Sequence, residues 1–287
     1  MTSLPAELPR VLVERAVETA LTEDLGLAGD LTTQATIGPD VTATAAIVAR
    51  EPGVIAGLPL AEAAFRLIGD GVRFQPSLTD GSRVSVGEEV ARISGKARHI
   101  LGGERVALNF LNHLSGVASL TAKFVAAVAG TNARICDTRK TLPGLRAFEK
   151  YAVRCGGGSN HRYGLDDAIL IKDNHIAVAG GVGLAIASAR AFAGHLVAIE
   201  VEVDTLDQLR QALDAGVDAV LLDNMDATTL GEAVTITGGR ARLEASGGIT
   251  LASVGAIAAS GVDYISSSQI TMSAPPLDLG LDIVIGA

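Results

Sequence analysis

The chain has no tryptophan, and aromatic residues make up only 3% of its 287 positions. Proteins that hold single-stranded nucleic acid do so on rows of exposed rings, so that class of partner is excluded as an expectation. A positive excess is missing too: 23 Lys and Arg face 32 Asp and Glu for a net charge of -9. Nonspecific attraction to nucleic acid or to an anionic membrane surface is therefore not expected. Cysteine is scarce. Cys136 and Cys155 form no CxxC, and two thiols build no disulfide framework, so ordinary buried or semi-buried thiols in a reducing cytoplasm are expected. No His/Cys group has zinc spacing, and GxSxG and GxxxxGK[ST] are both missing. Mean hydropathy is high at +0.37, but the uncharged run from Ile176 to Ala189 is too short and too glycine-rich for a bilayer, which needs about 20 apolar residues. The opening MTSLPAELPR places Glu7 and two prolines where a signal peptide needs an apolar segment.

What the chain does have is a local concentration of cations. The segment Cys136 to Ile176, CDTRKTLPGLRAFEKYAVRCGGGSNHRYGLDDAILIKDNHI, carries Arg139, Lys140, Arg146, Lys150, Arg154, Arg162 and Lys172 around a Gly156-Gly157-Gly158 run. Fixed donors interleaved with glycine suit a ligand with several anionic groups. Arg146, Lys150 and Arg154 recur every fourth residue, which reads as solvated charge along one helix. Arg139-Lys140 and Lys172 differ, because each directly follows a short apolar, strand-like run, where an α/β protein places its chemistry.

Two regimes of organisation follow one another. Val11 to Leu21 has helical spacing and leads into a loop, EDLGLAGDLTT, where Gly26 and Gly29 break the helix. Thr42 to Ala49 reads as a strand, Leu60 to Ile68 as a helix, and Val72 to Phe74 and Arg83 to Ile93 as strands with turns at Gly81 and Gly87. This is an α+β pattern with antiparallel strands. The piece DGSRVSVGEEVARISG is also similar to the hammerhead of a carrier domain, although no lysine sits at its hairpin tip. From Gly103 a long helix pattern opens the second regime, in which apolar runs alternate with helices: 133–136, 168–171, 196–203, 219–222, 242–245 and 263–265. Repeated β-α units call for a parallel sheet, closed or nearly closed. The expected fold is α/β: a sandwich-like α+β domain over 1–112, then an α/β barrel of six to seven parallel strands over 113–273, with the tail 274–287 packed on the first domain.

Each run ends in polar residues: Asp137-Thr138-Arg139-Lys140, Lys172-Asp173-Asn174, Glu202-Val203-Asp204, Asp223-Asn224, Ser246-Gly247-Gly248 and Ser266-Ser267-Ser268. Such ends ring the mouth of a barrel. Glu202 and Asp223 offer the oxygen ligands Mg²⁺ prefers alongside substrate phosphates, or anchors for ribose hydroxyls; Glu202 equally suits an ion pair with Lys140 or Lys172. Ser246-Gly247-Gly248 before a helix from Leu251 makes a phosphate seat of backbone N–H groups, or else a tight turn. His161, between Asn160 and Arg162 in a glycine-bounded loop, reads as a ligand contact or an idle surface histidine. On the residues alone this is a barrel enzyme for a polyanionic, phosphorylated small molecule with Mg²⁺.

The motifs DTRKTLPGLR, EKYAVRCGGGSNHRYGLDDAILIKDNHI, VEVDTLDQL, LLDNM and LEASGGI, with ERVALNFLNHLSG and EDLGLAGDLTT upstream, resemble those of quinolinate phosphoribosyltransferase. The resemblance runs from about Leu21 to Asp282 and implies transfer of a phosphoribosyl group from phosphoribosyl pyrophosphate to the ring nitrogen of quinolinate. The 2-carboxylate is lost, and the products are nicotinate mononucleotide, pyrophosphate and CO₂, a step toward NAD. It further implies that Arg105, Thr138, Arg139, His161 and Arg162 bind substrate, Arg105 from the neighbouring subunit. Lys140, Lys172, Glu202 and Asp223 are the implied catalytic groups, the last two holding Mg²⁺ and ribose hydroxyls. Ser246, Gly247, Gly248 and Ser268 are implied at the phosphate. The implied assembly is a homodimer with shared sites, or a higher oligomer built from it.

One stretch departs from the family pattern. GVDYIS is followed by SSQITMS where the family commonly has VGALTHS, so Ser268 stands in place of a phosphate-facing glycine and Met272 in place of a histidine. Two rivals remain open. A related protein found with molybdate transport shares fold and motifs, although Asn160-His161-Arg162 favours quinolinate. A non-catalytic nucleotide or carboxylate sensor would keep the anion site without needing every cation.

Overall fold

The computed structural model of the protein describes residues 7–284. The first six residues and the last three, on which parts of the readings of the N-terminus and the tail fall, lie outside the described residues. The described chain divides into two compact units, one made of residues up to Ala122, Phe148–Gly157 and the segment from Ala274, the other of Lys123–Ala147 and Gly158–Ser273. Position 112, where the sequence placed a boundary, lies inside a helix.

In chain order the first unit begins with α1 (Arg10–Leu25), α2 (Leu31–Thr36), β1 (Thr42–Ala49), β2 (Gly53–Val54), α3 (Leu58–Leu67), β3 (Val72–Pro76), β4 (Arg83–Val84), β5 (Glu89–Lys96) and α4 (Ala97–Ala127), whose residues from Lys123 belong to the second unit. α1 buries Val13, Val17 and Leu21, one residue per turn on a single face. The segment after Gly26 was expected to be loop throughout. It contains α2, because the Asp30 carboxylate accepts the Thr33 backbone N–H at 2.9 Å and satisfies a donor that would otherwise be lost at the helix start. In β1 the alternate residues Ala45, Ile47 and Ala49 are buried, the period-two signature of a sheet with one face on a core. α4 starts six residues before the expected Gly103. Gly102 and Gly103 sit within it because a Cβ there would come within 2.7 Å of Ile68 and 3.1 Å of Phe65, so their small size lets α3 and α4 approach closely.

The second unit carries β6 (Arg134–Cys136), followed by α5 (Arg146–Cys155), whose residues from Phe148 belong to the first unit. It continues with β7 (Ile169–Ile171), α6 (Asp173–Ala179), α7 (Val182–Phe192), β8 (Ile199–Val203), α8 (Leu206–Asp214), β9 (Ala219–Asp223), α9 (Ala227–Thr237), β10 (Arg242–Ser246), α10 (Val254–Ala258), β11 (Tyr264–Ser266) and α11 (Gln269–Met272). The chain then returns to the first unit as β12 (Leu279–Val284), which completes an antiparallel sheet in the order β12-β1-β5-β3. The six strands of the second unit are parallel in the order β6-β11-β10-β9-β8-β7, a curled α/β barrel left open between β6 and β7. At that opening Ser159 bridges to Cys136 and extends the β6 edge. Caps set where each helix leaves its strand: Thr205 and Gln208 reciprocally cap α8, and Asp226 accepts the Thr229 N–H to start α9.

No single helix among the described residues is long and apolar enough to cross a membrane; α6 and α7 have the length and composition together but meet at 93°. Cys136 and Cys155 are both buried and form no disulfide among the described residues, and burial pushes the Cys155 thiol up to about 12.

Candidate active site

The C-terminal ends of all six barrel strands converge on a cavity of about 710 Å³. Thr138, Arg139 and Lys140 reach it from beyond β6, Lys172 from the end of β7, Glu202 from β8, and Asp223 and Asn224 from β9. Ser246, Gly247 and Gly248 enter after β10, and Ser266, Ser267 and Ser268 from β11. His161 and Arg162 line it from the loop that crosses the barrel opening. Of the residues that the resemblance assigns to the site, Arg105 alone does not line this cavity and is exposed on α4 of the first unit.

The loops bearing the cations are held by polar contacts made out of the ligand's way. The buried Asp137 carboxylate accepts Asn160 Nδ2–H at 2.6 Å and the His161 backbone N–H at 2.9 Å, which ties the His161-Arg162 loop to the end of β6. Arg146 donates Nε–H to Thr141 Oγ1, Nη1–H to the Tyr163 carbonyl and Nη2–H to the Arg139 carbonyl. It clamps both cation-bearing loops, and the expectation that it is a solvated helix charge is overturned. Lys150, read the same way, is completely buried. The row at every fourth residue faces the protein because α5 is packed on that side, something a charge period cannot reveal.

Arg139 and Arg162 are the electrostatic centre. The Nε–H of each is buried and has no hydrogen-bond partner among the described residues. Burial, and then the positive charge of Arg139, lower the Arg162 guanidinium below the usual arginine range. Two like charges with unpaired donors are costly until an anion arrives, and planar guanidiniums suit bidentate carboxylate binding. His161 lies beside them with its Nδ1 accepting the Arg162 backbone N–H at 2.7 Å and its Nε2 at 2.9 Å from Glu200. That pattern places the ring proton on Nε2.

Glu202 forms an ion pair with Lys172, so one of the two pairings left open in the sequence is the one adopted. Lys172 is itself anchored through its backbone N–H, which donates to His175 Nδ1 at 3.0 Å. Asp223 accepts Asn224 Nδ2–H at 2.6 Å. Asn224 has a left-handed φ of 54°, and its backbone N–H donates to the Ser246 carbonyl at 2.9 Å. A Cβ at Gly247 would lie 2.2 Å from Asn224 Oδ1, and Gly247 and Gly248 have φ of 97° and 59°, so only glycine fits this seat without strain. The helix after it begins at Val254 rather than the expected Leu251, because Thr250 and Ser253 first close a turn through the Ser253 hydroxyl. The seat therefore relies on the backbone of a glycine turn more than on a helix end.

Glu244 and Gln269 also line the cavity and were not singled out, whereas Asn224 had been placed at the barrel mouth only as the neighbour of Asp223. Asn224 and Glu244 lay within the motifs LLDNM and LEASGGI, where the period-two pattern of a strand could have flagged Glu244 as facing the same way as Ser246. Gln269, in a stretch of irregular local pattern, carried no signal.

The sequence matches the profile of the quinolinate phosphoribosyl transferase C-terminal domain over residues 117–282 and that of the N-terminal domain over residues 30–115. A probable carboxylating nicotinate-nucleotide pyrophosphorylase of Bacillus subtilis is 44% identical over 263 residues, covering 92% of this chain and 90% of the relative. The carboxylating nicotinate-nucleotide pyrophosphorylase of Mycobacterium leprae is 45% identical over 274 residues, 93% and 95% of the two chains. The solved structure of the nicotinate-nucleotide pyrophosphorylase from Francisella tularensis superposes with a TM-score of 0.93 at 39% identity, covering 97% of this chain and 98% of that one.

Proposed function

The chain belongs to the quinolinate phosphoribosyltransferase family, and from that premise we propose how its cavity carries the family's reaction. The enzyme transfers the phosphoribosyl group of phosphoribosyl pyrophosphate to quinolinate with decarboxylation, yielding nicotinate mononucleotide, pyrophosphate and CO₂ for NAD biosynthesis. The observation that carries the assignment of roles is the pair of buried, unpartnered guanidinium donors on Arg139 and Arg162, in a cavity that also holds Lys140 and Lys172. Quinolinate has two adjacent carboxylates, and two arginines held this close are relieved by both.

The ring nitrogen of quinolinate attacks C1′ of the ribose, and pyrophosphate leaves with the electron pair of the broken bond. Lys140 and Lys172 act as point charges toward the leaving pyrophosphate or a carboxylate. Thr138 and His161 complete the quinolinate end. Ser246, Gly247, Gly248 and Ser268 seat the 5′-phosphate with backbone and hydroxyl donors. Glu202 and Asp223 bind the ribose hydroxyls. As the acidic pair at the rim, they form a donor set that fits Mg²⁺, which takes one or two carboxylates beside substrate phosphates. When bound, the ion offsets charge on the pyrophosphate. Quaternising the ring nitrogen makes the next step feasible: the C2–carboxylate bond breaks, and its electron pair stays on C2 beside a positive nitrogen.

The proposal includes a homodimer in which Arg105 of a neighbouring subunit reaches each cavity, on the strength of the family resemblance and of its exposed place on α4. It also includes a cytoplasmic location, supported by two buried thiols that are not joined in a disulfide. Purified protein offered quinolinate with phosphoribosyl pyrophosphate and Mg²⁺ should release one pyrophosphate and one CO₂ per quinolinate consumed. Turnover of nicotinate or nicotinamide in preference to quinolinate would sink the assignment. The shared site is checked by mixing Arg105→Ala with Lys172→Ala under subunit exchange. One intact site per mixed dimer should restore about a quarter of normal activity, and no recovery after proven exchange rejects it.

A further inference from the structure

Decarboxylation leaves an electron pair on C2 of the pyridine ring that must be capped by a proton, and the residues assigned above do not supply one. We propose that Glu244 is the acid of this half-reaction: its carboxyl O–H protonates C2 as CO₂ departs, and Glu244 regains a proton from solvent through the opposite end of the barrel. This rests on the quinolinate reading of the cavity.

Glu244 lies on β10 two residues before Ser246, so both side chains point to the barrel interior. Its register partner on β9 is Leu221, which pairs in turn with Glu202 on β8. Glu244 thus lies on one register line with Glu202, the partner of Lys172. Its side chain lines the cavity, the residue is only 6% exposed, and Oε1 has no hydrogen-bond partner among the described residues.

The neighbours decide where the proton resides. His161 Nδ1 is occupied as an acceptor, so the ring's proton is on Nε2 and is donated to Glu200 at 2.9 Å. Glu244 Oε1 is 3.8 Å from the same Nε2, too far for a hydrogen bond. The charged or polar groups facing Glu244 are Glu200 from β8, Asp137 from beyond β6, His161 from the crossing loop and Ser266 from β11, while β9 contributes the apolar Leu221. Burial first, then the charge of Glu200, push the Glu244 carboxyl up to about 7. His161 and the Ser266 hydroxyl favour the ionised form of Glu244, but burial and the neighbouring negative charge outweigh them, so its carboxyl holds the proton more tightly than an ordinary glutamate does.

A route for reprotonation is built in. A second cavity of about 580 Å³ opens at the N-terminal ends of the strands, bordered by Ala168, Ala198 and Asp218 just ahead of β7, β8 and β9. Glu244 borders both cavities. The cycle balances: C2 gains the proton that replaces CO₂, Glu244 becomes a carboxylate, and solvent returns a proton to it.

The test is a single-turnover measurement of pyrophosphate, CO₂ and nucleotide with phosphoribosyl pyrophosphate, Mg²⁺ and carboxyl-labelled quinolinate. Wild-type enzyme must first release pyrophosphate and CO₂ one for one; if it uses no quinolinate, the activity assignment fails and not this inference. Glu244→Gln preserves size and polarity but removes the acid. It should release pyrophosphate within about threefold of the wild-type rate, slow CO₂ release about a hundredfold or more, and accumulate the mononucleotide that still carries both carboxylates. Equal loss of both products, or continued one-for-one release, overturns the proposal. Should that variant fail to fold, the wild-type decarboxylation phase decides instead. Because the protonated acid is needed, its rate should fall as pH rises through about 7, and a flat profile from about pH 6 to 8 overturns the proposal.

Discussion

Asp80 and Glu244 are both carboxyls raised by burial, one in each unit, and their surroundings are opposite. Asp80 accepts the backbone N–H groups of Gly57 and Leu58, each at 3.1 Å, and the Tyr151 hydroxyl at 2.8 Å. Every one of those bonds ties the first unit to itself. Glu244 has a buried oxygen without a hydrogen-bond partner among the described residues, on a side chain that borders a cavity. The contrast extends beyond the pair: Arg139 Nε, Arg162 Nε, Ser266 Oγ and Gln269 Oε1 are also buried without partners, and all belong to residues that line the same cavity. Among the described residues only Asn112 Oδ1 and Thr237 Oγ1 share that condition away from it. Buried polar atoms satisfied by the protein support its fold, whereas atoms left open in one cavity are a cost that a ligand removes.

The sharpest way to break this comparison is to delete cavity charges and find the fold affected. Lys140→Ala and Lys172→Ala are expected to lower kcat/KM about a hundredfold or more while melting temperatures move by only about 2 °C. A collapsed melting temperature with normal specific activity would reverse the roles of the two regions.

Next come paired stability measurements. Asp80→Ala leaves two backbone N–H groups and a tyrosine hydroxyl without their acceptor and should destabilise by about 2 kcal/mol or more. Glu244→Gln should do the opposite as pH rises. The folded-state value of Glu244, about 7, lies above its ordinary 4.5, so the folded protein holds the proton more tightly than the unfolded chain does. The penalty is absent below about pH 4.5, grows through the window between the two values and is complete above about pH 7, where it amounts to roughly 3 kcal/mol. Denaturant titrations at acid and neutral pH should show the variant gaining on wild type across that window, and a constant difference would contradict the sign.

Smaller is the discrimination between substrates. Nicotinate, lacking one carboxylate, should lose about tenfold to a hundredfold in kcat/KM, corresponding to roughly 1.5–3 kcal/mol for one charge-assisted contact. Equal use of both would show that Arg139 and Arg162 are not both engaged by carboxylates. Smallest is Ser268→Gly, expected to change KM for phosphoribosyl pyrophosphate severalfold and to leave KM for quinolinate nearly unchanged. An effect confined to quinolinate would move this loop to the other substrate.

Much of this was legible in the residues because strands and their ends have short-range signatures. The run Thr42 to Ala49 is β1 to the residue, and each later run supplies at least one polar residue at its end to one cavity. Reading failed where the partner is distant in sequence. Gly103 looked like the start of a helix, and only the approach of Gly102 and Gly103 to Ile68 and Phe65 explains why both lie inside α4. Arg146 and Lys150 looked solvated because spacing shows which residues share a face and not what that face meets.

By itself, then, the sequence determined the alternation of strands and helices, the placing of chemistry at strand ends and the class of ligand, since each depends on residues within a few positions of one another and on the sum of local charge. Only the tertiary structure decided which polar atoms stay unpaired, that Arg146 clamps the two cation-bearing loops, and that Glu200, His161 and Glu244 meet inside the barrel from three separate segments. Their protonation follows from mutual distance and burial, quantities that exist only once the sheet has curled and brought residues far apart in the chain within a few ångströms.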